Sequence, residues 1–192
     1  MSWAPSSESL NEMEDKKIEG RRIYLRPLSK SDITDKVYNW LKNREVVKFI
    51  ESAPPKSLKD VADYYENIIN SGSNKIFAII AKDRSAHIGN IKLGNINRKH
   101  AFADMGILIG DKSYWGKGYC QEAVRLLLGH AFGALKLQKI FLAVNEDNIA
   151  ALKAYLNAGF NIEGRIKRLY HRSRGRADRL YLGILKEEFK KS

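Results

Sequence analysis

A mixed α/β (α+β) sheet with helices on both faces is the fold class predicted by this 192-residue sequence. Three observations predict it. Apolar patterning alternates between strand-like and helix-like periods in the order β-α-α-β-β-β-α-β-α-β-β, about seven strands in all. The three middle strands are joined by links too short for crossovers, so they run antiparallel. A glycine-bearing loop then joins a strand to a long helix. The length suits one core, since single domains usually run about 100 to 200 residues.

Residues 1–20 are rich in Ser, Glu and Asn with few apolar anchors, which predicts a flexible tail ahead of a single domain over residues 21–192. Residues 23–28 have strand composition, with Pro27 marking an edge or an end. Ser29 and Asp32 have capping-box spacing, and Ile33, Val37, Trp40 and Leu41 repeat at helical intervals. A second helix opens at Ser57 after the Pro54-Pro55 break and carries Leu58, Val61, Tyr64 or Tyr65, and Ile68. Strands are expected over residues 76–81, 87–96 and 102–109. A loop over residues 110–118 leads into a helix that runs through Phe132, followed by a strand at 140–144. Asn148 caps a helix that Gly159 stops, and strands at 160–170 and 179–185 flank a turn at Ser173-Arg174-Gly175.

Net charge is +12, but its distribution is uneven. Residues 1–20 hold two lysines and five acids, leaving 32 basic against 17 acidic residues in the body, or +15. Such a body attracts anions, phosphate-bearing cofactors included. Apolar stretches such as residues 77–81 and 140–144 fall far short of the roughly 18 residues a membrane helix needs. No basic start followed by an apolar block opens the chain, so no secretory signal and a cytoplasmic location are expected. The lone Cys120 cannot form an internal disulfide and has no His and Asn partners that would make it a nucleophile. The four histidines show no metal spacing, so no metal is expected. With no zinc finger, no RNP-like aromatic signature and no dense basic helix, a nucleic-acid partner is disfavoured.

Two segments carry chemistry. In the first, a strand ending at Ile107-Leu108-Ile109 feeds a loop with Trp115, Gly116, Lys117, Gly118, Tyr119 and Cys120 and then a helix. Backbone N–H groups and a positive helix end can converge there on an anion such as a pyrophosphate. The loop is neither a Walker motif nor G-x-G-x-x-G, because position 121 is Gln. In the second, Asn148 and Tyr155 are seven residues apart, two turns along one side of a helix. From that segment alone a capping Asn and a half-buried Tyr is the favoured reading.

Together these segments resemble the GNAT superfamily of acetyl-CoA-dependent N-acetyltransferases, especially the branch of ribosomal-protein-alanine, polyamine and nucleotide-sugar acetyltransferases. The resemblance spans about residues 21–186 and includes the ending Gly175-Arg176-Ala177-Asp178-Arg179-Leu180-Tyr181. The family loop is often Arg/Gln-x-x-Gly-x-Gly/Ala; here Trp115 takes the Arg/Gln position and Cys120 the final small one. The resemblance implies that loop amides from Trp115 to Cys120 hold the pyrophosphate of acetyl-CoA. It further implies that the backbone near Leu108 and Ile109 pairs with the pantetheine arm, that Asn148 contacts that arm, and that Lys153 approaches a CoA phosphate. Tyr155 is then the general acid for the departing thiolate, and a neutral amine attacks the thioester directly. Asp104 and Glu51 are the candidate bases, with a water relay as the alternative.

The implied acceptor is a primary amine, a protein N-terminus or a small molecule such as a nucleotide-linked amino sugar or a polyamine. Between Arg165 and Arg179 lie seven basic residues and one acid, Asp178. If that strip borders the acceptor site, it favours an anionic acceptor and disfavours a polyamine. A non-catalytic CoA-binding protein stays open, as does a monomer or a homodimer.

Overall fold

The segment Lys75–Ala81 is apolar at six consecutive positions, so a folded chain must cover it on both faces. The computed structural model, which describes residues 17–172 and 175–190, does so with a central sheet and four helices. Its strands are β1 (Ile18–Glu19), β2 (Ile23–Pro27), β3 (Lys75–Ala81), β4 (Ala86–Asn97), β5 (Phe102–Ile109), β6 (Lys139–Asn145), β7 (Asn161–Arg172) and β8 (Gly175–Leu185). The helices are α1 (Asp35–Lys42), α2 (Leu58–Ile69), α3 (Tyr119–Gly133) and α4 (Ile149–Asn157). Spatial order is β1-β2-β3-β4-β5-β6-β8-β7, eight strands rather than about seven. The extra strand comes from residues expected to belong to the tail: Ile18 and Glu19 pair with Leu25 and Tyr24.

Strand alternation sorts the core into two layers. Phe77, Ile79 and Ala81 of β3 point into the larger cluster with Val124, Leu127 and Leu128 of α3 and Tyr155 of α4. Ile76, Ala78 and Ile80 point the other way, to Val37 and Trp40 of α1 and Val61, Tyr65 and Ile68 of α2. Helix α2 starts at Ser57 because its hydroxyl accepts from the Asp60 N–H (3.2 Å) while Asp60 accepts from the Ser57 N–H (3.1 Å), the reciprocal capping box. The Ser29–Asp32 box also forms, but it caps only a single 3-10 turn, Lys30–Asp32, and α1 begins at Asp35.

Every neighbouring pair of strands is antiparallel except β5 and β6, and that exception makes the site. These two run parallel and pair only through Phe102, Ala103 and Asp104, against Lys139, Ile140 and Phe141. Beyond Asp104 the strands diverge: β6 stays paired with β8 up to Asn145, and β5 stays paired with β4 up to Ile109. The far half of β5 therefore presents one edge without a strand partner, facing a wedge that opens toward the start of α3. Among the described residues no helix is long and apolar enough to cross a membrane.

Candidate active site

At the mouth of the wedge, the loop after β5 turns on two glycines in left-handed conformation, Gly116 (φ 70°) and Gly118 (φ 80°). Gly118 is the N-cap of α3 and has no capping side chain, so the helix end is left bare. The first intrahelical bond runs from the Glu122 N–H to the Gly118 carbonyl (3.1 Å), and the N–H groups of Tyr119, Cys120 and Gln121 ahead of it have no intrahelical acceptor. Trp115, Gly116, Lys117 and Gly118 are exposed. The loop is held from behind: the Arg22 guanidinium donates to the Lys117 carbonyl (2.8 Å) and to Glu122 (2.9 Å) and lies 4.5 Å from the Tyr119 ring centroid. Burial raises the Glu122 carboxyl, and the bonds from Arg22 more than offset it, holding it below the usual range. Phosphate oxygens of CoA fit this arrangement, which combines free amides, a positive helix end and Lys117.

The indole of Trp115 folds back and donates to the Ile109 carbonyl (2.8 Å), tying the loop to the strand end. That carbonyl is thus engaged by the protein, while Ile107 and Leu108 remain half-buried along the open edge. Asn148 caps α4 through its side-chain oxygen, which accepts from the Ala151 N–H (3.3 Å), so the capping role holds and the Nδ2 group remains for a ligand. Lys153, on the same helix, is exposed.

Tyr155 is 7% exposed and packs edge-on against Phe160 at 5.9 Å. Burial drives its phenol well above the ordinary value, and neighbouring Cys120 adds to the rise. Burial also pushes the Cys120 thiol up to about 11. That shift agrees with the expectation that Cys120 is no nucleophile, because the thiolate is the reactive form.

The other face of the wedge carries the carboxylates. Ala103, Met105, Ile107 and Ile109 pack with the α3 layer and Leu108 with the α1–α2 layer, so Asp104 shares Leu108's side, opposite Tyr155. Asp104 sits where β5 and β6 part; its Oδ2 accepts from Asn95 Nδ2 (3.4 Å), and its Oδ1 is buried with no hydrogen-bond partner. Glu51 lies at the far end of β6, where it accepts from Asn145 Nδ2 (2.9 Å) and faces Arg179 Nη1 (3.5 Å). Asn145 is level with a point four residues beyond Phe141, the partner of Asp104. The β6 residues beside the two carboxylates, Phe141 for Asp104 and Asn145 for Glu51, are about 13 Å apart along the strand. Asn145 and Arg179 were not among the expected site residues, and their link to Glu51 spans 94 residues for Asn145.

The basic strip behaves differently from its composition. Arg165 is ion-paired to Asp178 and to Glu146 (2.9 Å), and Arg179 to Glu51. Arg176 donates to the Arg168 carbonyl (2.7 Å) and bonds His171 (2.9 Å). The Arg174 residue and the Arg172 side chain lie outside the described residues. Among the described residues Arg165 and Arg179 are thus each set against carboxylates, Arg165 against Glu146 and Asp178 and Arg179 against Glu51, and Lys167 also acts on Asp178. The argument that the strip repels a polycation therefore fails at the residues nearest the wedge, since their charge is already matched.

Among the described residues no group of three His, Cys, Asp or Glu side chains has the arrangement to hold a metal. A groove of about 950 Å³ lies between β1 and α3, lined by Ile18, Arg22, Arg125, Leu126 and Phe189, on the side of α3 away from these carboxylates.

The sequence profile of the Acetyltransferase (GNAT) domain family matches residues 22–161. The spermidine N(1)-acetyltransferase of Escherichia coli K12 is 29% identical over 144 residues, covering 75% of this chain and 75% of that protein. The uncharacterized N-acetyltransferase p20 of Bacillus licheniformis is 28% identical over 172 residues, covering 88% of this chain and 95% of that one. The crystal structure of spermidine N-acetyltransferase from Vibrio cholerae in complex with CoA and spermine superposes with a TM-score of 0.79 at 25% identity, covering 87% of this chain and 97% of that one. The diverging strands, the bare glycine loop and these matches lead to one conclusion: the chain belongs to the GNAT acetyltransferase family and is an acetyl-CoA-dependent N-acetyltransferase.

Proposed function

We propose that the chain acetylates a small primary amine of the linear polyamine class. The observation that carries this reading is that Arg165 and Arg179, the basic residues at the end of the wedge, are already paired with Glu146, Asp178 and Glu51 although the body outside residues 1–20 is +15. Matched charge of this kind does not turn a cationic amine away, although the protein as a whole is basic. The spermidine acetyltransferases of Escherichia coli and Vibrio cholerae are similar over most of their length, which supports the same class.

Acetyl-CoA supplies an acetyl thioester, and the residues of the chain bind, orient and manage protons around it. Loop amides from Trp115 to Cys120, with Lys117, hold the pyrophosphate; the open edge of β5 near Leu108 and Ile109, with Asn148, aligns the pantetheine arm; Lys153 meets an outer phosphate. This places the thioester in the wedge, with Tyr155 on one face and Asp104 on the other. Asp104 takes the proton that the amine gives up as its nitrogen bonds the acetyl carbon. Tyr155 gives its proton to the sulfur as the carbon–sulfur bond breaks. Burial raises the Tyr155 phenol, so the group is held protonated until the sulfur leaves.

Release of free CoA thiol in the presence of spermidine tests the reading. Saturable release that requires both acetyl-CoA and spermidine supports it, and release with a nucleotide-linked amino sugar alone would reject it.

A further inference from the structure

We infer that Arg22 and Glu122 are positioning residues for acetyl-CoA: anchored at the start of β2, the pair fixes the orientation of the loop peptide between Lys117 and Gly118, whose N–H meets the pyrophosphate. This rests on the reading that residues 115–120 hold that pyrophosphate, and adds to it the groups that hold the loop itself.

Glycine gives the loop its turn and also its freedom. Gly116 and Gly118 flank Lys117 at φ 70° and 80°, with no side chain of their own to restrain the chain, so the peptide after Lys117 needs a hold from outside to keep one orientation. Arg22 supplies it, because its Nη1 donates to the Lys117 carbonyl (2.8 Å). In a trans peptide the carbonyl and the following N–H point in opposite directions, so the Gly118 N–H is aimed away from Arg22. A phosphate oxygen on that side meets a donor already oriented, with less ordering left to do on binding.

The guanidinium can hold the peptide because its other edge is fixed. Arg22 Nε donates to Glu122 Oε2 (2.9 Å), while Glu122 Oε1 accepts from the backbone N–H groups of Arg22 (2.8 Å) and Ile23 (3.4 Å). One carboxylate on α3 thus binds both the side chain and the main chain of Arg22, and it is only 16% exposed. Gly20 allows the close approach: a Cβ there would fall 2.8 Å from Glu122 Oε1 and 2.7 Å from Leu126 Cδ1. The Tyr119 ring, set edge-on to Tyr114 at 5.1 Å, lies against the guanidinium and limits its swing.

The pairing also resolves a conflict of charge. Glu122 lies in the first turn of α3, where a carboxylate suits the helix end but repels a phosphate bound at the same place. Arg22 offsets that repulsion. A lysine would carry the same charge as a single point, without the planar fork that reaches two acceptors at once. Orientation and charge are therefore separable by substitution.

The test compares acetyl-CoA with S-acetylpantetheine, the same thioester without the pyrophosphate, as the ratio of their kcat/KM values for thiol release with any amine that the parent acetylates. Both thioesters report on the same folded molecules, so a change in the amount of folded protein cancels in the ratio. The parent is expected to prefer acetyl-CoA. Arg22→Gln should lower the ratio roughly tenfold through the KM for acetyl-CoA, Glu122→Ala should lower it in the same direction by freeing the guanidinium, and Arg22→Lys should recover little of the loss. A ratio unchanged in Arg22→Gln or Glu122→Ala, or restored in full by Arg22→Lys, overturns the inference while leaving the loop reading intact. A parent ratio near one would defeat the loop reading and the inference together.

Discussion

Gly110 lies flush against the indole of Trp40: a Cβ at Gly110 would fall 2.0 Å from the Trp40 Cδ2 atom. This contact joins α1 to the first residue of the glycine loop that we propose holds acetyl-CoA. Trp40 is itself fixed edge-on against His87 at 5.1 Å, so it has little freedom to give way. Gly110→Ala should therefore destabilise the fold by about 1–3 kcal/mol through overpacking. Because the loop moves with it, the KM for acetyl-CoA should rise as well. Denaturant midpoints and initial rates read the two effects separately.

Tyr155→Phe keeps the ring, which is where the packing lies, and removes the proton. We expect kcat to fall about 100-fold or more, within the range typical of general-acid loss, with little change in acetyl-CoA affinity. The measurement is kcat by thiol release beside equilibrium binding of acetyl-CoA. Turnover equal to the parent would remove Tyr155 from the acid role.

Cys120 is the single cysteine, and its thiol is pushed up to about 11. At pH 8 about one molecule in a thousand then carries the thiolate. Thiol reagents should label the folded protein slowly and the unfolded protein fast, and bound acetyl-CoA should slow labelling further. Rate constants for labelling with and without denaturant check this.

Asp32 has a defined pH signature. Burial raises its carboxyl, but two bonds from Arg26 (2.6 Å each) and two from Ser29 (2.8 and 2.9 Å) hold it far below the usual carboxylate range. Because the folded value is depressed, the contribution is full above the unfolded value near 4 and is lost as pH falls toward the folded one. Asp32→Asn should cost about 2 kcal/mol at pH 7, with Arg26 left short of its partner. That gap should narrow steadily below about pH 4, measured by chemical denaturation across pH.

Much of the scaffold is legible in the sequence because its signals are local. Strand β5 is an apolar run between turn residues and is found at the expected bounds, residues 102–109. Helix α4 starts at an Asn that caps it and stops before a glycine at φ 105°. Two features hid for opposite reasons. The pair Ile18–Glu19 is too short to show a period and becomes a strand only by joining β2. The β7–β8 hairpin is longer than expected, with β8 beginning at Gly175, because its charged residues obscure the alternation that pairing supplies.

The glycine loop ahead of α3 is legible from its glycines and helix position, whereas the surroundings of the two carboxylates are not. Glu51 gains its meaning from Asn145 and Arg179, the first of them 94 residues away, and Asp104 from a glycine on the neighbouring strand. Counting charges along residues 165–179 also misled. A guanidinium pointing at a carboxylate and one pointing at solvent read alike in sequence but act differently on an approaching cation.

The most direct test of the polyamine assignment is a single-vessel competition. Acetyl-CoA is supplied to the protein with equal amounts of spermidine and a peptide with a free N-terminal alanine, and mass spectrometry reads which one gains the acetyl group. The account predicts acetylspermidine, formed at a rate that falls sharply in Tyr155→Phe. Acetylation of the peptide with spermidine untouched would contradict it.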